Sequence, residues 1–538
     1  MSASRAHAAH HPVAIYDRPS HRPPAWIIIL GAAALTLSIA GWYLAVHWPY
    51  RYREVHPLVE DIFGSRIKIT RYRRTYLPHP GFIATGITIT RDSAPNQPPL
   101  GSVQTLFVQG RWSDLLLLRR RVYLVEMTGV HIVLPPAGSA ASRADFPAGS
   151  AKGFGGPHTA IEDLRIHSSV LDILHDDGAR YSFAIRELEV TGMLNGQPMH
   201  YWLDMQNPIP HGRILATGNF GPLNASDVGA TRVSGQFTFT KVQLHDVGDI
   251  RGTLFSTGRF SGPLRAIQAD ATSQVPDFAV DDGQPTDVRG AIHCIVNALT
   301  GDVFMPQVEL HSGPTAVHAS GQIAGSPKIT NLAIEVPRGR AQDILHPFLQ
   351  RQVPILGPVT LHSHAYVGPS GKNIPFLHRL RVNGVFDVSS ERLSDAKTEQ
   401  TLTAFSQRAQ SKKNSATDPL TQQKSDPPET NTQIVLSSLR GPATIRDGII
   451  STNGLLFQIP GAQANLTGTF SLHDESVHLT GNLEMQTDVS HTTTGFKAFL
   501  LKPLAPFFKK QSKGAVIPIA VLGTPGRYHV THDLSHRK

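Results

Sequence analysis

The residues of this chain that could do chemistry do not form a catalytic motif. The segment Gly368-Pro369-Ser370-Gly371-Lys372 ends like a phosphate-binding P-loop, but Tyr366 stands where the first glycine is required. Asn373 stands where a serine or threonine hydroxyl would meet the metal ion. No G-x-S-x-G nucleophile elbow and no H-E-x-x-H zinc helix occurs in the sequence. We therefore interpret the segment as a turn and expect no enzymatic activity, with an unrecognised hydrolase as the remote alternative.

One pair among the many histidines has a spacing that zinc could use. His362-Ser363-His364 places two imidazoles on one face of a strand. No cysteine or carboxylate close in sequence completes the ligand set, so we interpret the pair as part of a solvated face and expect no metal and no cofactor. Asp281-Asp282-Gly283 is typical of a turn, not of an acid–base pair. Cys294 has no partner cysteine in the chain and fits a small buried side chain.

The composition limits the class of protein. Of the 538 residues, 17% are charged, which is below the quarter typical of globular proteins. Glycine (46) and proline (40) are plentiful, and this favours many short strands joined by turns. The length fits roughly three or four ordinary domains or one elongated β-structure. The net charge of +9 suits anionic partners, or it is a modest excess spread over a large surface.

An apolar segment near the N-terminus predicts a membrane anchor. Residues 26–48 contain no Asp, Glu, Lys or Arg, and their apolar run is long enough to cross about 30 Å of hydrocarbon. A cleaved signal peptide is the alternative, but the small-residue cleavage site that should follow one is missing. We therefore expect an uncleaved anchor helix at 26–48 after a cytoplasmic tail at 1–25. Aromatic residues mark both ends of the segment, as at a membrane interface: Trp26, Trp42, Tyr43, Trp48 and Tyr50.

The pattern of apolar residues beyond the anchor predicts short strands and a few helices. Short helices are expected from Val55 to Phe63 and from Ser113 to about Leu118, with Ser113 as the N-cap. A polar segment with few apolar residues, 389–433, is expected to be a flexible linker. The remaining expected units are a β region at 52–134, a loop at 135–158, a repeated-strand region at 159–388 and a second β region at 434–538.

A short signature recurs along the strands: Ser or Thr, then Gly, any residue, and Phe, Ile or Leu. Side-chain alternation places its glycine on the apolar face of the strand. Such a glycine either lets the sheet curve or leaves space for an acyl chain lying along the sheet. The copies begin at Thr217, Ser234, Thr257, Ser320, Thr467 and Thr480. The residues expected to face a groove are Val317, Gly321, Ile323, Val477, Leu479, Gly481 and Leu483.

Residues 493–510 are unusually apolar for an exposed element and are accompanied by lysines. Pro503 and Pro506 break the segment into short helical pieces. It is either a helix that caps the end of the sheet with its aromatic residues buried, or a basic amphipathic element that touches a membrane or fills an apolar groove. The candidate lipid- or membrane-contact residues are Phe496, Phe499, Leu500, Leu504, Phe507, Phe508, Lys509 and Lys510.

Segments near both ends of the chain follow one another in a recognisable order. After the anchor and the short helix come residues 64–69, 80–89 and 122–132. Near the C-terminus come residues 439–441, 448–450, 460–462, 492–502, 506–508, 517–519 and 523–524. This order resembles that of the AsmA family of bacterial envelope proteins. The resemblance is close at both ends of the chain, and in the middle it is limited to the general pattern of the strands.

The resemblance implies a mainly β fold: one N-terminal transmembrane helix followed by an elongated, curved antiparallel β-sheet that forms a groove, with a few short helices. Basic residues around the anchor, counted alone, would keep the C-terminal body in the cytoplasm. The resemblance instead implies a single-pass protein of the bacterial inner membrane with its body in the periplasm.

Members of the family resemble bridge-like lipid-transfer proteins. The resemblance thus implies a protein that binds or guides phospholipid between membranes and contributes to outer-membrane assembly. The expected partners are membrane phospholipid, the inner membrane and envelope proteins. No nucleic-acid-binding module is recognisable, so no nucleic-acid partner is expected. The alternative is a scaffold for the biogenesis of outer-membrane proteins or surface polymers, without lipid transport.

Overall fold

The computed structural model is mainly β, with one long, open sheet and a few short helices. It describes residues 50–63, 66–90, 99–117, 121–135, 160–174, 180–193, 197–224, 227–325, 327–369, 374–393, 437–485, 516–524 and 527–532, with some residues between 35 and 48. The tail 1–25, most of the anchor 26–48, the loop from 136 to 158, the linker from 394 to 433 and the element 493–510 lie outside the described residues. Within the part that is described, no helix has the length and apolar character needed to cross a membrane.

The first half of the sheet is built from strands of mostly nine to fifteen residues. They are β1 (Ile67–Thr75), β2 (Gly81–Ile89), β3 (Gly101–Gln109), β4 (Arg121–Leu134), β5 (Ala160–Leu174), β6 (Arg180–Thr191), β7 (Met199–Pro208), β8 (His211–Phe220), β9 (Arg232–Gln243), β10 (Ile250–Arg251), β11 (Thr253–Pro263), β12 (Ile267–Val280) and β13 (Thr286–Val296).

The second half continues in the same way and ends at a short strand. Its strands are β14 (Val303–Ser312), β15 (Thr315–Ile323), β16 (Thr330–Arg340), β17 (Ile355–Leu356), β18 (Pro358–Val367), β19 (Leu380–Leu393), β20 (Ser437–Arg446), β21 (Ile449–Ile459), β22 (Ala462–Ser471), β23 (Val477–Met485), β24 (Val516–Gly523) and β25 (His529–His532).

Strands that follow one another in sequence lie side by side in the sheet. The exceptions are the two-residue strands β10 and β17, which pair with β12 and β19 as extensions of β11 and β18. Every pairing is antiparallel except that of β4 with β5, which is parallel. The sheet continues across residues 394–436, because Val388 of β19 lies opposite Leu439 of β20. Among the described residues β1 pairs only with β2 and β25 only with β24, so the sheet is open at both edges.

The helices are short and lie at the ends of strands. They span Tyr52–Phe63, Trp112–Leu116, Ala341–Leu345 and Phe376–Arg379, and 3₁₀ turns span Val228–Ala230, Leu244–Val247 and His346–Phe348. The predicted N-cap is wrong: Arg111 occupies the N-cap position of the second helix without a side-chain hydrogen bond, and Ser113 lies inside its first turn. The strand β19 also extends through Leu393, into the segment predicted to be a linker.

The N-terminal strands bury the first hydrophobic core. Ala84, Ile87 and Val103 of β2 and β3 are almost fully buried. Trp48, Tyr50 and Val55, which precede or belong to the first helix, pack against the same cluster. The Tyr72 hydroxyl donates a 2.6 Å hydrogen bond to the carbonyl oxygen of Tyr50, and burial, together with the nearby Asp114 charge, raises the pKa of Tyr50 to about 12. The chain around residue 50 is therefore fixed to the first strands of the sheet.

Candidate functional site

The residues predicted to face a groove lie on one continuous apolar face of the sheet. Directly opposed residues in neighbouring strands project from the same face, so the face can be followed through the strand register. Gly321 lies opposite Met305 and Leu332, and Gly481 lies opposite Leu466 and Ile519. We call this surface the apolar face. From the first strands to the last it carries Ile87, Val103, Leu164, Tyr201, Phe260, Ile292, Ile334, Phe386, Phe457, Leu483 and Ile517.

Two copies of the glycine signature lie opposite each other in the paired strands β9 and β11, with the glycine of each copy facing the phenylalanine of the other. Gly235 lies opposite Phe260, and Gly258 lies opposite Phe237. A methyl group on Gly258 would lie 2.7 Å from the Phe237 ring, and one on Gly235 would lie 3.1 Å from the Phe260 ring. The two rings lie with their centroids 6.3 Å apart. Each aromatic ring therefore covers the glycine of the neighbouring strand, which explains why the signature joins these two residue types.

The signature glycines, Gly235 and Gly258 included, also allow two backbones to approach closely. A methyl group on Gly321 would clash with the backbone carbonyl of Asn331, and one on Gly481 with that of Asn465. The backbone of the neighbouring strand thus occupies the space that a side chain at the glycine would fill, so no empty volume remains there. Of the two sequence-based interpretations, this geometry favours strand approach and sheet curvature over space reserved for an acyl chain at the glycine itself.

The middle stretch of the apolar face, from β7 to β13, remains partly accessible. Tyr201, Phe220, Phe237, Phe260 and Ile292 are each half-buried along this stretch. We call the other face of the sheet the polar face. Along the strands of the middle stretch it carries mainly polar side chains. These five apolar side chains form an accessible surface on which hydrocarbon could be buried.

The single cysteine lies on the middle stretch. Cys294 projects from the apolar face opposite Ala269. Burial, with a smaller effect of the Asp270 charge, raises the pKa of its thiol. The side chain is half-buried, so it is more accessible than the small buried side chain that the sequence suggested.

A different stretch of the apolar face is covered by the chain itself. We call residues 341–357, which link β16 to β18, the connector. Its Leu349 and Val353 are buried against Ala365 and Leu380 on the apolar face and against Leu472. Ala341, at the start of the connector, packs in a neighbouring cluster of buried residues from β18 to β22. From β16 to β22 the apolar face is therefore partly covered, although some of its side chains, such as Phe386, stay half-buried.

Two turns hold the connector in place from opposite parts of the sheet. The Glu475 carboxylate, in the turn between β22 and β23, accepts hydrogen bonds of 2.9 and 3.0 Å from the backbone N–H groups of Gln350 and Arg351. The Gln284 side chain, in the turn between β12 and β13, donates to the carbonyl oxygens of the same two residues at 3.2 and 2.8 Å. Strands far apart in the sheet thus meet at the connector, and the sheet curls around it.

The polar face carries two shallow depressions that share Gln307. One has a volume of about 830 Å³ and includes Thr257, Arg259 and Asp270. The other has a volume of about 550 Å³ and includes His362. Hydroxyl, imidazole, guanidinium and carboxylate groups line them together with aromatic and aliphatic side chains, so these depressions could contact both the polar and the apolar parts of a bound molecule.

The histidine pair singled out in the sequence lies in the second depression. His362 and His364 are exposed on the polar face on either side of the buried Ser363. The structure adds one carboxylate that sequence spacing could not reveal, because Glu335 of β16 lies 3.8 Å from His362. No group of three or more metal-ligating side chains is assembled among the described residues. Asp281 and Asp282 lie in the turn after β12, as the sequence predicted.

Buried carboxylates on the polar face are paired with arginine and histidine. Two 2.9 Å hydrogen bonds from the Arg213 guanidinium, opposed in part by burial, hold the pKa of Asp204 below its ordinary value. Burial alone would raise the pKa of Asp172, but hydrogen bonds from His131 and Ser182 and the positive charge nearby keep it lowered. These pairs join neighbouring strands, since Arg213 lies on the strand next to Asp204 and His131 on the strand next to Asp172.

Sequence reasoning missed the connector and the two depressions. The connector is apolar at Leu345, Phe348, Leu349 and Val353, and this run was the signal that a buried segment lies between β16 and β18. The candidate contact residues in 493–510 lie outside the described residues, so the structure does not place them. No family model and no curated protein sequence matches this chain.

Proposed function

We propose that this chain binds the acyl chains of phospholipid along the middle stretch of its apolar face and guides lipid between membranes. The observation that carries the proposal is the accessible apolar surface of β7 to β13 within an apolar face that continues across the sheet. Each methylene removed from water there contributes about 0.8 kcal/mol. Polar side chains on the opposite face keep the same strands in contact with water.

The cellular setting is part of the same proposal. The apolar segment at 26–48 anchors the chain in the bacterial inner membrane, the body lies in the periplasm, and the protein contributes to outer-membrane assembly. This setting is supported by the resemblance to the AsmA family and by the length of the apolar segment. No covalent chemistry is needed for such a role, and the depressions of the polar face are not assigned to it.

A second candidate function is a scaffold for the assembly of outer-membrane proteins or surface polymers. The connector supports this alternative, since Leu349 and Val353 fill the apolar face between β16 and β22. A scaffold needs a packed interior and stable protein partners, whereas a lipid conduit needs accessible apolar surface. The middle stretch supplies such surface, and for this reason lipid binding is the proposal that we favour.

The test is the lipid content of the purified full-length protein, measured by native mass spectrometry after extraction in a mild detergent. Ala271→Trp would place a bulky side chain on the half-buried apolar face of β12, and the matched control, Thr272→Trp, would place it on the exposed polar face of the same strand. We expect bound phospholipid in the wild type and the control, and a loss of lipid in Ala271→Trp at an unchanged thermal midpoint. Absence of lipid from the wild-type protein, together with cross-linked protein partners, would favour the scaffold.

A further inference from the structure

The end of the sheet beside Trp48 exposes large apolar side chains. In the turn between β1 and β2, Leu77 is 83% exposed and Tyr76 is 52% exposed. Leu116 and Leu117, at the end of the second helix, are 59% and 62% exposed. Side chains of this size are normally buried when they have no partner, and a cluster of them marks an interaction surface.

These side chains belong to one structural unit. The indole N–H of Trp112 donates a 3.1 Å hydrogen bond to the Pro78 carbonyl oxygen and so ties the helix to the turn. The Trp48 ring lies between them, with its centroid 5.0 Å from that of Tyr76 and 6.0 Å from that of Trp112. We call this unit the Trp48 patch: Trp48, Tyr76, Leu77, Trp112, Leu116 and Leu117.

Basic residues are frequent in the chain segments that form the Trp48 patch. Residues 66–90 contain five basic residues and no Asp or Glu. Leu118 is followed directly by Arg119, Arg120 and Arg121, while Asp114, the acidic residue of the second helix, is buried. Charged side chains on β1 also discourage unwanted pairing at the edge of a sheet, but that role does not explain the exposed leucines. The basic residues of 66–90 are Arg66, Lys68, Arg71, Arg73 and Arg74.

We infer that the Trp48 patch rests on the surface of an anionic phospholipid bilayer. Leu77, Leu116 and Leu117 reach the boundary of the acyl region, and the exposed Tyr76 ring lies at headgroup depth, where tyrosine is favoured. Arg73 and Arg74, which are exposed on β1 next to the turn, face the lipid phosphates, to which a guanidinium donates paired hydrogen bonds. The inference rests on the proposed anchoring, because the apolar segment ends at Trp48, but it does not depend on lipid binding by the apolar face.

The docked patch would set the first strands of the sheet directly against the membrane. The sheet would then begin at the bilayer surface, with β1 and β2 adjacent to the headgroups. A lipid leaving the bilayer would meet the apolar face without crossing open water. A flexible tether between the anchor and the body would not give this arrangement.

The test is fluorescence quenching in proteoliposomes that contain the full-length protein. In a Cys294→Ala background, Leu77→Cys and Leu116→Cys each receive a polarity-sensitive fluorophore. Matched controls are Phe304→Cys and Val385→Cys, which are 51% and 53% exposed on the polar face far from the patch. Vesicles of phosphatidylcholine with phosphatidylglycerol carry a nitroxide near the top of the acyl chain, and iodide serves as the aqueous quencher.

The expected result is strong nitroxide quenching and weak iodide quenching at positions 77 and 116, with the reverse at 304 and 385. Replacing phosphatidylglycerol by phosphatidylcholine should weaken the nitroxide effect, since the arginines lose their anionic partner. Strong iodide quenching at 77 and 116, as in the controls, would overturn the inference. Protection from both quenchers would also overturn it and would indicate a protein partner. Neither outcome bears on whether lipid copurifies with the apolar face.

Discussion

Asp204 is a buried carboxylate that holds three strands together on the polar face. Its partners are Arg213 at 2.9 Å and Arg186 at 3.7 Å. Asp204→Asn keeps the shape of the side chain and removes its charge, so we expect a loss of about 1.5–3 kcal/mol in the free energy of unfolding at neutral pH. Urea denaturation measures this. The control is Asp287→Asn, whose exposed pair with Arg289 should contribute little.

The pH dependence of the same variant gives an independent check. The pKa of Asp204 is lowered in the folded protein. The contribution of its charge to the free energy of unfolding is therefore complete above the ordinary carboxyl pKa of about 4, and it disappears as the pH falls through the lowered pKa. The stability difference between wild type and Asp204→Asn should therefore be constant between about pH 6 and 8 and should shrink below about pH 4. A difference that stays constant into acid would mean that the charge is not responsible.

Gly481 tests whether the signature glycines serve close strand approach. Gly481→Ala places a methyl group against the Asn465 carbonyl, and we expect a loss of about 1–3 kcal/mol in unfolding free energy. Thr480→Ala, which alters the other face of the same strand, is the control. If Gly481→Ala were as stable as the control in thermal denaturation, the glycine would instead sit in free space.

At the residue scale, alternation in the sequence was sufficient to group Val317, Gly321 and Ile323, because the period of a strand is two residues. It could not reveal which residues face each other across strands. The approach of Glu335 to His362 and the covering of Gly258 by Phe237 depend on register, and register is set by pairings distant in the chain.

At the scale of elements, the connector decides how much of the apolar face is available. Leu349 is 1% exposed in the cluster that covers β16 to β22. We expect Leu349→Ala to cost about 2–5 kcal/mol in unfolding free energy, measured by chemical denaturation. Leu299→Ala, at a position that is 47% exposed, should change stability little. A negligible effect at Leu349 would indicate that the connector does not pack tightly on the sheet.

The positions of most elements could be predicted from sequence, but some of their ends could not. The first helix ends at Phe63, as the sequence predicted. The first helix begins at Tyr52, before the predicted Val55, because the apolar periodicity used for the prediction starts later than the helix itself. The connector has no regular period over its length, so periodicity predicted no element there, and its run of apolar residues was the one signal of burial.

At the scale of the whole molecule, composition predicted many short strands joined by turns, whereas the curved antiparallel sheet was an expectation from the family resemblance alone. The structure contains these short strands, and neighbouring strands pair antiparallel except for β4 with β5. The meeting of the turn after β12 with the turn after β22 depends on twist accumulated over many strands, at roughly 20–25° for each pair. No local sequence signal specifies this sum.

The central claim concerns which face of the middle stretch meets lipid. Photocrosslinking in intact cells can compare the two faces on adjacent residues, by placing a benzophenone amino acid at Phe260 of the apolar face or at Arg259 of the polar face in strand β11. Mass spectrometry of the crosslinked full-length protein then identifies the adducts. We predict phospholipid adducts at position 260 and none at position 259. Adducts of equal yield at both positions, or protein adducts alone at position 260, would contradict the account.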